Sequence, residues 1–349
     1  MMPVGAVDAL AFFDEMADAF ASASMHAGLV ERAYRIDDRV VRLRFAGPAL
    51  VPPLCTALDH RAASRAAEPD LTVCLWDSES TACHMPITDA LSRYSTRGEL
   101  PALNTSRIYA VTERGYPSVL LFDRDRGLAL YWVPAPSALP EWVRGTPLRV
   151  LLHWWLSARG KQLVHGAAVA TDAGGVLITA RSGSGKSTTA LSCVAAGMAY
   201  AGDDYVIVGP DPPHAANVYC TAKIAATQLR LFPWAGDMIA NREALDEDKA
   251  LIVLRGRYRD RIVDGFPLRA ILIPSITGRP VSRVRPASAA SALAALAPTT
   301  LLFHPRGGAP ELKALSALVQ ALPAYVLECG TDVPELPSVI SAFLERSRP

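Results

Sequence analysis

The 349-residue chain has no run of about eighteen apolar residues, the length a membrane-crossing helix needs, so no membrane span is expected. It also has almost no charge excess. Its 35 Lys and Arg against 34 Asp and Glu leave a formal net charge of +1, and nothing electrostatic points to nucleic acid or an anionic membrane as partner. None of the six cysteines, at 55, 74, 83, 193, 220 and 329, forms a C-x-x-C pair, which argues against thiol-pair metal and redox motifs. Cys83 and His84 are adjacent, but two ligand types with no second pair nearby make a poor metal site. The apolar settings "CLW" and "LSCV" read as buried thiols acting as small hydrophobes. The opening "MMPVGAVDALAFFDEMADAFASAS" lacks the basic start of a secretory signal and carries acids instead. Its apolar residues recur at the spacing of an amphipathic helix. Internal repeats and low-complexity tracts are missing too. These absences lead to the expectation of a reduced, cytoplasmic protein.

What is present is ample core material. Half of the residues are hydrophobic and a fifth are charged, and the length exceeds one ordinary core. The reading is two domains, a mixed α/β module over 1–145 and a second α/β domain over 146–349. In the first, "RVVRLRFAG", "LTVCLWD" and "RIYAVTE" read as strands, and "SVLLFDRDRGLALYWV" as a hairpin turning near "DRDRG". The Pro-rich "PAPSALPEWVRGTP" reads as a linker. "PLRVLLHWWLSARG" predicts a helix with Pro147 in its first turn and Gly160 at its C-cap. Then come strands "LVHGAAVAT" and "GVLITA", a loop, the helix "KSTTALSCVAAG" and the strand "YVIV", the order of a phosphate-loop α/β core. "RPASAASALAALAP", Arg285 to Pro298, reads as a further helix.

The chemistry centres on "ITARSGSGKSTTAL", Ile178 to Leu191. A strand delivers the chain to a loop rich in free backbone N–H groups, and a helix then presents its N-terminus to an anion. Gly183 and Gly185 suit the positive φ values that let those groups converge, with Ser182, Ser184 and Thr188 as further contacts. Lys186 would reach the β and γ phosphates of ATP, and the Ser187 hydroxyl would ligate Mg²⁺. Ala180 stands where the usual first glycine belongs, a place where one methyl is tolerable if the backbone stays in an ordinary region.

Asp203 and Asp204 precede the strand "YVIV". On an extended chain adjacent side chains point to opposite sides, so one aspartate rather than both would face the phosphates. If both reach the site, like charges raise one pKa, which suits a proton acceptor beside a metal ligand. A solvated "GDD" turn is the alternative. His165 is open between a structural role and one of orienting an aspartate or contacting transferred phosphate. Downstream, Lys223 and Arg230 could share a helical face, and Arg255, Arg257, Arg259 and Arg261 alternate as on one side of an extended chain. Lys223, Arg230 and Arg257 are the candidates for holding substrate charge. Glu243, Asp246, Glu247 and Asp248 read as a solvated helix face.

Taken together, "VHGAAVATDAGGVLITARSGSGKSTTALSCVAAGMAYAGDDYVIV", His165 through Val208, resembles the catalytic core of the HPr kinase/phosphorylase family. The shared features are a histidine–glycine, a phosphate loop ending in GKS, a helix, and an Asp-Asp pair opening the next strand. The resemblance implies an α/β fold with a C-terminal P-loop domain like that of HPr kinase and phosphoenolpyruvate carboxykinase, behind an N-terminal mixed α/β module. It implies phosphoryl transfer from ATP with Mg²⁺ to a serine hydroxyl, and assembly into a homo-oligomer. By position, Asp203 would be the base, Asp204 would complete the Mg²⁺ site with Ser187, and His165 would sit near the transferred group. The glycine-rich "RGLGI"-type signature is missing, and "LRGRYRD" occupies a comparable region, so the resemblance does not extend to phosphorolysis or to HPr as substrate. The chain looks more like the divergent HPr-kinase-related proteins, some of which modify biosynthetic peptides. The expected function is therefore a serine kinase acting on a peptide or small protein. A small-molecule kinase and a nucleotide-responsive binding module are the alternatives.

Overall fold

The computed structural model describes residues 8–181, 183–301 and 304–347. The chain is mixed α/β and divides into two compact units. Of the described residues, one takes those up to Leu151 with His304–Arg306; the other takes those from Leu152 to Leu301 and from Gly307 onward. The division falls a few residues past the expected 145/146 boundary, inside a helix.

In the first unit, helix α1 (Ala9–Ala27) starts on Asp8, whose carboxylate accepts from the Leu10 and Ala11 N–H groups, and ends at Gly28 with φ 79°. Phe12, Phe13, Met16, Phe20 and Ala23 form its buried stripe. They pack with Cys74, Trp76, Leu121 and Leu130 of a six-stranded sheet. Its strands are β1 (Leu29–Ile36), β2 (Arg39–Ala46), β3 (Leu71–Asp77), β4 (Ile108–Val111), β5 (Val119–Asp123) and β6 (Leu128–Val133), in the order β1-β2-β3-β6-β5-β4. The β5–β6 hairpin turns over 124–127 as its sequence implies. Buried Asp123 organises that turn by accepting from the Asp125 and Arg126 N–H groups and from both arms of Arg107, at 2.9 and 2.7 Å. Short helices α2 (Val51–Cys55), α3 (Ser78–Thr81) and α4 (Glu141–Gly145) fill the connections. The stretch read as a linker contains α4. Helix α5 (Arg149–Ser157) begins after Pro147, because Leu148 is left-handed at φ 56°.

The second unit is built on a sheet of β7 (Gln162–Val164), β8 (Ala167–Thr171), β9 (Gly174–Ile178), β10 (Ala199–Gly202), β11 (Val206–Pro210), β12 (Pro213–Ala216) and the long β15 (Gly265–Ile276), in the order β10-β8-β9-β15-β12-β11-β7. A separate ribbon pairs β13 (Thr221–Ile224) with β14 (Ala250–Val253). Strands β16 (Arg283–Ala287) and β17 (Ala324–Cys329) join at the far half of β15, where β17 runs parallel to it. Alternate residues go to two cores. Val169, Val176, Ile178 and Leu272 pack with α6 (Lys186–Ala195), α9 (Leu336–Arg346) and the ribbon. Ala168, Leu177 and Ile271 pack with α7 (Ala289–Leu301) and α8 (Ala309–Ala321). Burial on both faces explains why these strands read as nearly continuous apolar runs.

Three sequence expectations change here. "LVHGAAVAT" is broken into β7 and β8 at His165–Gly166, each half pairing with different strands. Gly166 sits at the break because a Cβ there would lie 2.9 Å from the Ile178 carbonyl oxygen. Arg255, Arg257, Arg259 and Arg261 do not alternate on an extended chain, since 254–256 and 259–261 are tight 3₁₀ turns. The acids from Glu243 to Asp248 do not lie on a helix; only a short 3₁₀ turn forms, at Arg242–Ala244.

Candidate functional site

Strand β9 hands the chain to the loop before α6, as the phosphate-loop pattern requires. Gly183 and Gly185 take φ values of 80° and 96°, and Gly185 is the N-cap of α6. Adding a Cβ at Gly183 would meet nothing within 4 Å, so glycine is needed there for its backbone and not for space. Ala180 is 4 % exposed and is not among the described residues with positive φ, so its methyl sits on an ordinary backbone. Ser184 Oγ donates to the Arg181 carbonyl at 2.8 Å. Ser182 lies outside the described residues. Lys186, 7 % exposed, folds back so that Nζ donates to the Ala180 and Arg181 carbonyls at 2.8 and 3.2 Å. Among the described residues it makes no ion pair, and its hydrogen bonds go to neutral carbonyl oxygens, an arrangement that an anion in the loop would complete.

The two aspartates sit in the turn between β10 and β11, not on an extended strand. Asp204 is left-handed at φ 66°, a conformation that Asp adopts more easily than most residues. The turn defeats the alternation argument, because both carboxylates reach the region before α6 from different directions. Asp203, 1 % exposed, accepts from Ser187 Oγ at 3.1 Å and from the Lys223 N–H at 3.3 Å. Asp204 pairs through Oδ2 with Lys223 Nζ at 2.8 Å, and its Oδ1 lies 3.2 Å from His165 Nε2. The His165 ring stacks on Tyr205, with centroids 5.4 Å apart, and its backbone N–H donates to Thr300 Oγ1. Gly166 allows this approach by letting the chain cross close to the end of β9.

Several of these groups, Asp203 not among them, line one cleft of about 560 Å³. His165, Lys186, Ser187, Thr188, Asp204 and Lys223 contribute to its wall, with the loop glycines below them. Arg230 and Arg257 do not: both are exposed, and Arg257 lies over the Tyr258 ring. Nor do Lys223 and Arg230 share a helical face, because Lys223 is on β13 and Arg230 on the 3₁₀ segment Ala226–Leu231. Gln228, Lys249, Pro298 and Thr299 also line the cleft, and sequence reading did not single them out. Thr188 Oγ1 lies 3.4 Å from Gln228 Oε1, which ties the 3₁₀ segment to the first turn of α6. Only the Pro298 stretch had carried a signal, its bias in composition.

The electrostatics separate the carboxylates. Burial, then the charge of Asp204 beside it, pushes Asp203 above the usual carboxylate range. Burial acts the same way on Asp204, but the Lys223 ammonium and the His165 ring outweigh it and hold that carboxyl well below the range. Burial lowers the Lys186 amine, opposed by the two aspartates. Among the described residues no cluster of three or more His, Cys, Asp or Glu forms a metal cage. Mg²⁺ does not need one, since it is commonly held by one or two carboxylates with substrate phosphates and water. Asp203 and the Ser187 hydroxyl, in contact at the head of α6, fit that donor set.

No family model matches the chain. No curated protein matches it either. Among solved structures, the Hpr(Ser) kinase/phosphatase from Coxiella burnetii is similar at 12% identity and a TM-score of 0.29, over 54% of this chain and 96% of that one. Likeness at that level carries no argument about activity, and what the cleft can do follows from its own geometry. Among the described residues no helix is long and apolar enough to cross a membrane.

Proposed function

We propose that the chain is a phosphotransferase of the HPr-kinase-like type, passing the terminal phosphoryl group of ATP to a hydroxyl. The acceptor we propose is a serine on a peptide or small protein. One observation carries the reading: the left-handed turn at Asp204 gives two adjacent carboxylates separate tasks, one on Ser187 and the other facing the cleft between Lys223 and His165.

Backbone N–H groups of the loop and the Lys186 ammonium bind and orient the donor phosphates. Ser187 and Asp203 would hold Mg²⁺, which supplies charge neutralisation at the phosphates. Asp204 accepts the hydroxyl proton as the oxygen–phosphorus bond forms and the bond to the departing diphosphate breaks. Lys223 and His165 fix the Asp204 carboxylate in place and keep it ionised at neutral pH. This exchanges the roles implied by the family resemblance, in which Asp203 was the base. Its raised pKa favours Asp203 as a proton acceptor, but a base must first be within reach of its proton. Asp203 is buried against Ser187, whereas Asp204 lines the cleft.

The test uses γ-phosphate-labelled ATP, Mg²⁺ and size-fractionated extract of the source cells. Wild type should label a peptide or small-protein fraction. Asp204→Asn should lower transfer by about 10²- to 10⁴-fold, the span of a general base, and Lys186→Ala should lower it together with nucleotide binding. Label in a metabolite fraction would replace the acceptor. Nucleotide binding with no transfer in any fraction would replace the enzyme by a nucleotide-responsive module.

A further inference from the structure

The β13–β14 ribbon brings two lysines to the cleft, and only one of them has an acid to hold. In its antiparallel register Lys223 faces Leu251 and Ile224 faces Ala250, so the next pair outward is Ala225 with Lys249. Opposite residues share a face, as do residues two apart on one strand, so Lys249 falls on the Lys223 side of the ribbon. It lies one two-residue step further along, about 7 Å. The Lys223 ammonium is committed to Asp204 at 2.8 Å. Lys249 is exposed, lines the same cleft near Lys186 and Gln228, and makes no ion pair among the described residues. That holds even though Asp246, Glu247 and Asp248 directly precede it. Its main chain is fixed: its N–H donates to Asp248 Oδ1 at 2.7 Å and its carbonyl accepts from Asn241 at 2.8 Å. Along the ribbon, Lys223 thus stands at Asp204 and Lys249 stands one step beyond it, both on the wall of the same cleft.

We propose that Lys249 is a donor-binding residue that holds the inner phosphate of a nucleoside polyphosphate, the one that carries the nucleoside. This rests on the phosphotransferase reading above. With the terminal phosphorus placed beside Asp204, the rest of the polyphosphate runs along the loop past Lys186 toward Lys249. The step from Lys223 to Lys249 matches the length of such a chain. An ammonium without an acid partner can take that phosphate without breaking an existing ion pair.

Calorimetric titration of the full chain with Mg²⁺ and either the diphosphate or the β,γ-imido triphosphate, in adenine and guanine forms, tests this. Lys249→Gln should weaken diphosphate and triphosphate by the same factor, about tenfold, as loss of one charge-assisted bond to a shared phosphate requires. Lys249→Arg should return both to within about threefold of wild type, since the charge is kept. The unfolding temperature of Lys249→Gln should not move, because the side chain is exposed and unpaired. Unchanged affinity for both ligands would overturn the proposal, and so would a loss confined to the triphosphate, which would place Lys249 at the terminal phosphate. A wild-type chain that bound none of the four nucleotides would instead sink the donor reading, and the proposal with it.

Discussion

Gly166→Ala is a one-methyl test of how the site is assembled. The new Cβ would lie 2.9 Å from the Ile178 carbonyl oxygen and 3.4 Å from Leu177 Cδ1. The oxygen belongs to the last residue of β9, the strand that leads into the loop before α6, so it cannot swing aside like a flexible side-chain end. Either β9 or the His165–Gly166 crossing must move by a few tenths of an ångström. Overpacking of this kind costs about 1–3 kcal/mol. For a unit in the range of 150–250 residues, each kcal/mol lowers the unfolding temperature by about 2–4 °C, so a drop of roughly 4–8 °C follows from a mid-range cost. Calorimetric unfolding of the full chain should show it in one transition, with the other unit unaffected. Gly183→Ala is the control, because its Cβ meets nothing and only its φ of 80° is strained. The same Gly166→Ala protein should bind Mg·ATP more weakly, because the movement displaces His165 from Asp204 or shifts the loop. An unfolding temperature within 1 °C of wild type, together with unchanged binding, would refute the close approach of chain and carbonyl as the reason for glycine.

Asp203→Asn should raise the Mg²⁺ concentration needed for half-maximal transfer, with Asp204→Asn showing no such shift; a magnesium titration of both variants separates metal ligand from base. In the first unit, Asp123→Asn should cost about 1.5–3 kcal/mol, the scale of charge-assisted bonds to a buried carboxylate, measured by urea unfolding at pH 7. Asp123 is held below its ordinary value: burial raises it, but the Arg107 bonds and the turn N–H groups outweigh that effect. Its contribution is therefore present above the unfolded carboxylate pKa and is lost as pH falls through the folded value. Loss of stability on acidification should be shallower in Asp123→Asn than in wild type. Glu113 has the opposite sign, since burial raises its pKa against Arg149 and Tyr116. Its contribution is present below the unfolded value and fades as pH rises through the folded one, so Glu113→Gln should flatten that decline.

The elements legible in the sequence were those set by local rules. The stripe of α1, the β5–β6 hairpin and the strand–loop–helix around Lys186 each follow from periodicity or turn chemistry within a short window. Ala180 was legible for the same reason, because its position in the loop does not need a left-handed backbone. The aspartate geometry was not. It depends on β10, a strand of Ala-Tyr-Ala-Gly with no distinctive period, which ends early enough to put Asp203 and Asp204 in a turn instead of on β11. Once Asp204 turns left-handed, the two-residue alternation of a strand no longer applies.

The remaining cleft residues were hidden by distance along the chain. Spacing in sequence suggested a helical face for Lys223 and Arg230, and it misled because the chain between them changes from strand to 3₁₀ turn. The relation that holds runs across the ribbon, where pairing of β13 with β14 sets Lys223 and Lys249 on one face although many residues separate them. No local motif encodes such a pair; it exists only after two strands have found their register. Lys223 also shows why a charge is hard to assign from sequence. Its backbone N–H holds one aspartate and its ammonium holds the other, so a lysine expected to meet substrate also sets the division of charge between two carboxylates. That division requires the ammonium. Replacing Lys223 by an apolar residue would keep the backbone bond to Asp203 and remove the main influence that holds Asp204 ionised.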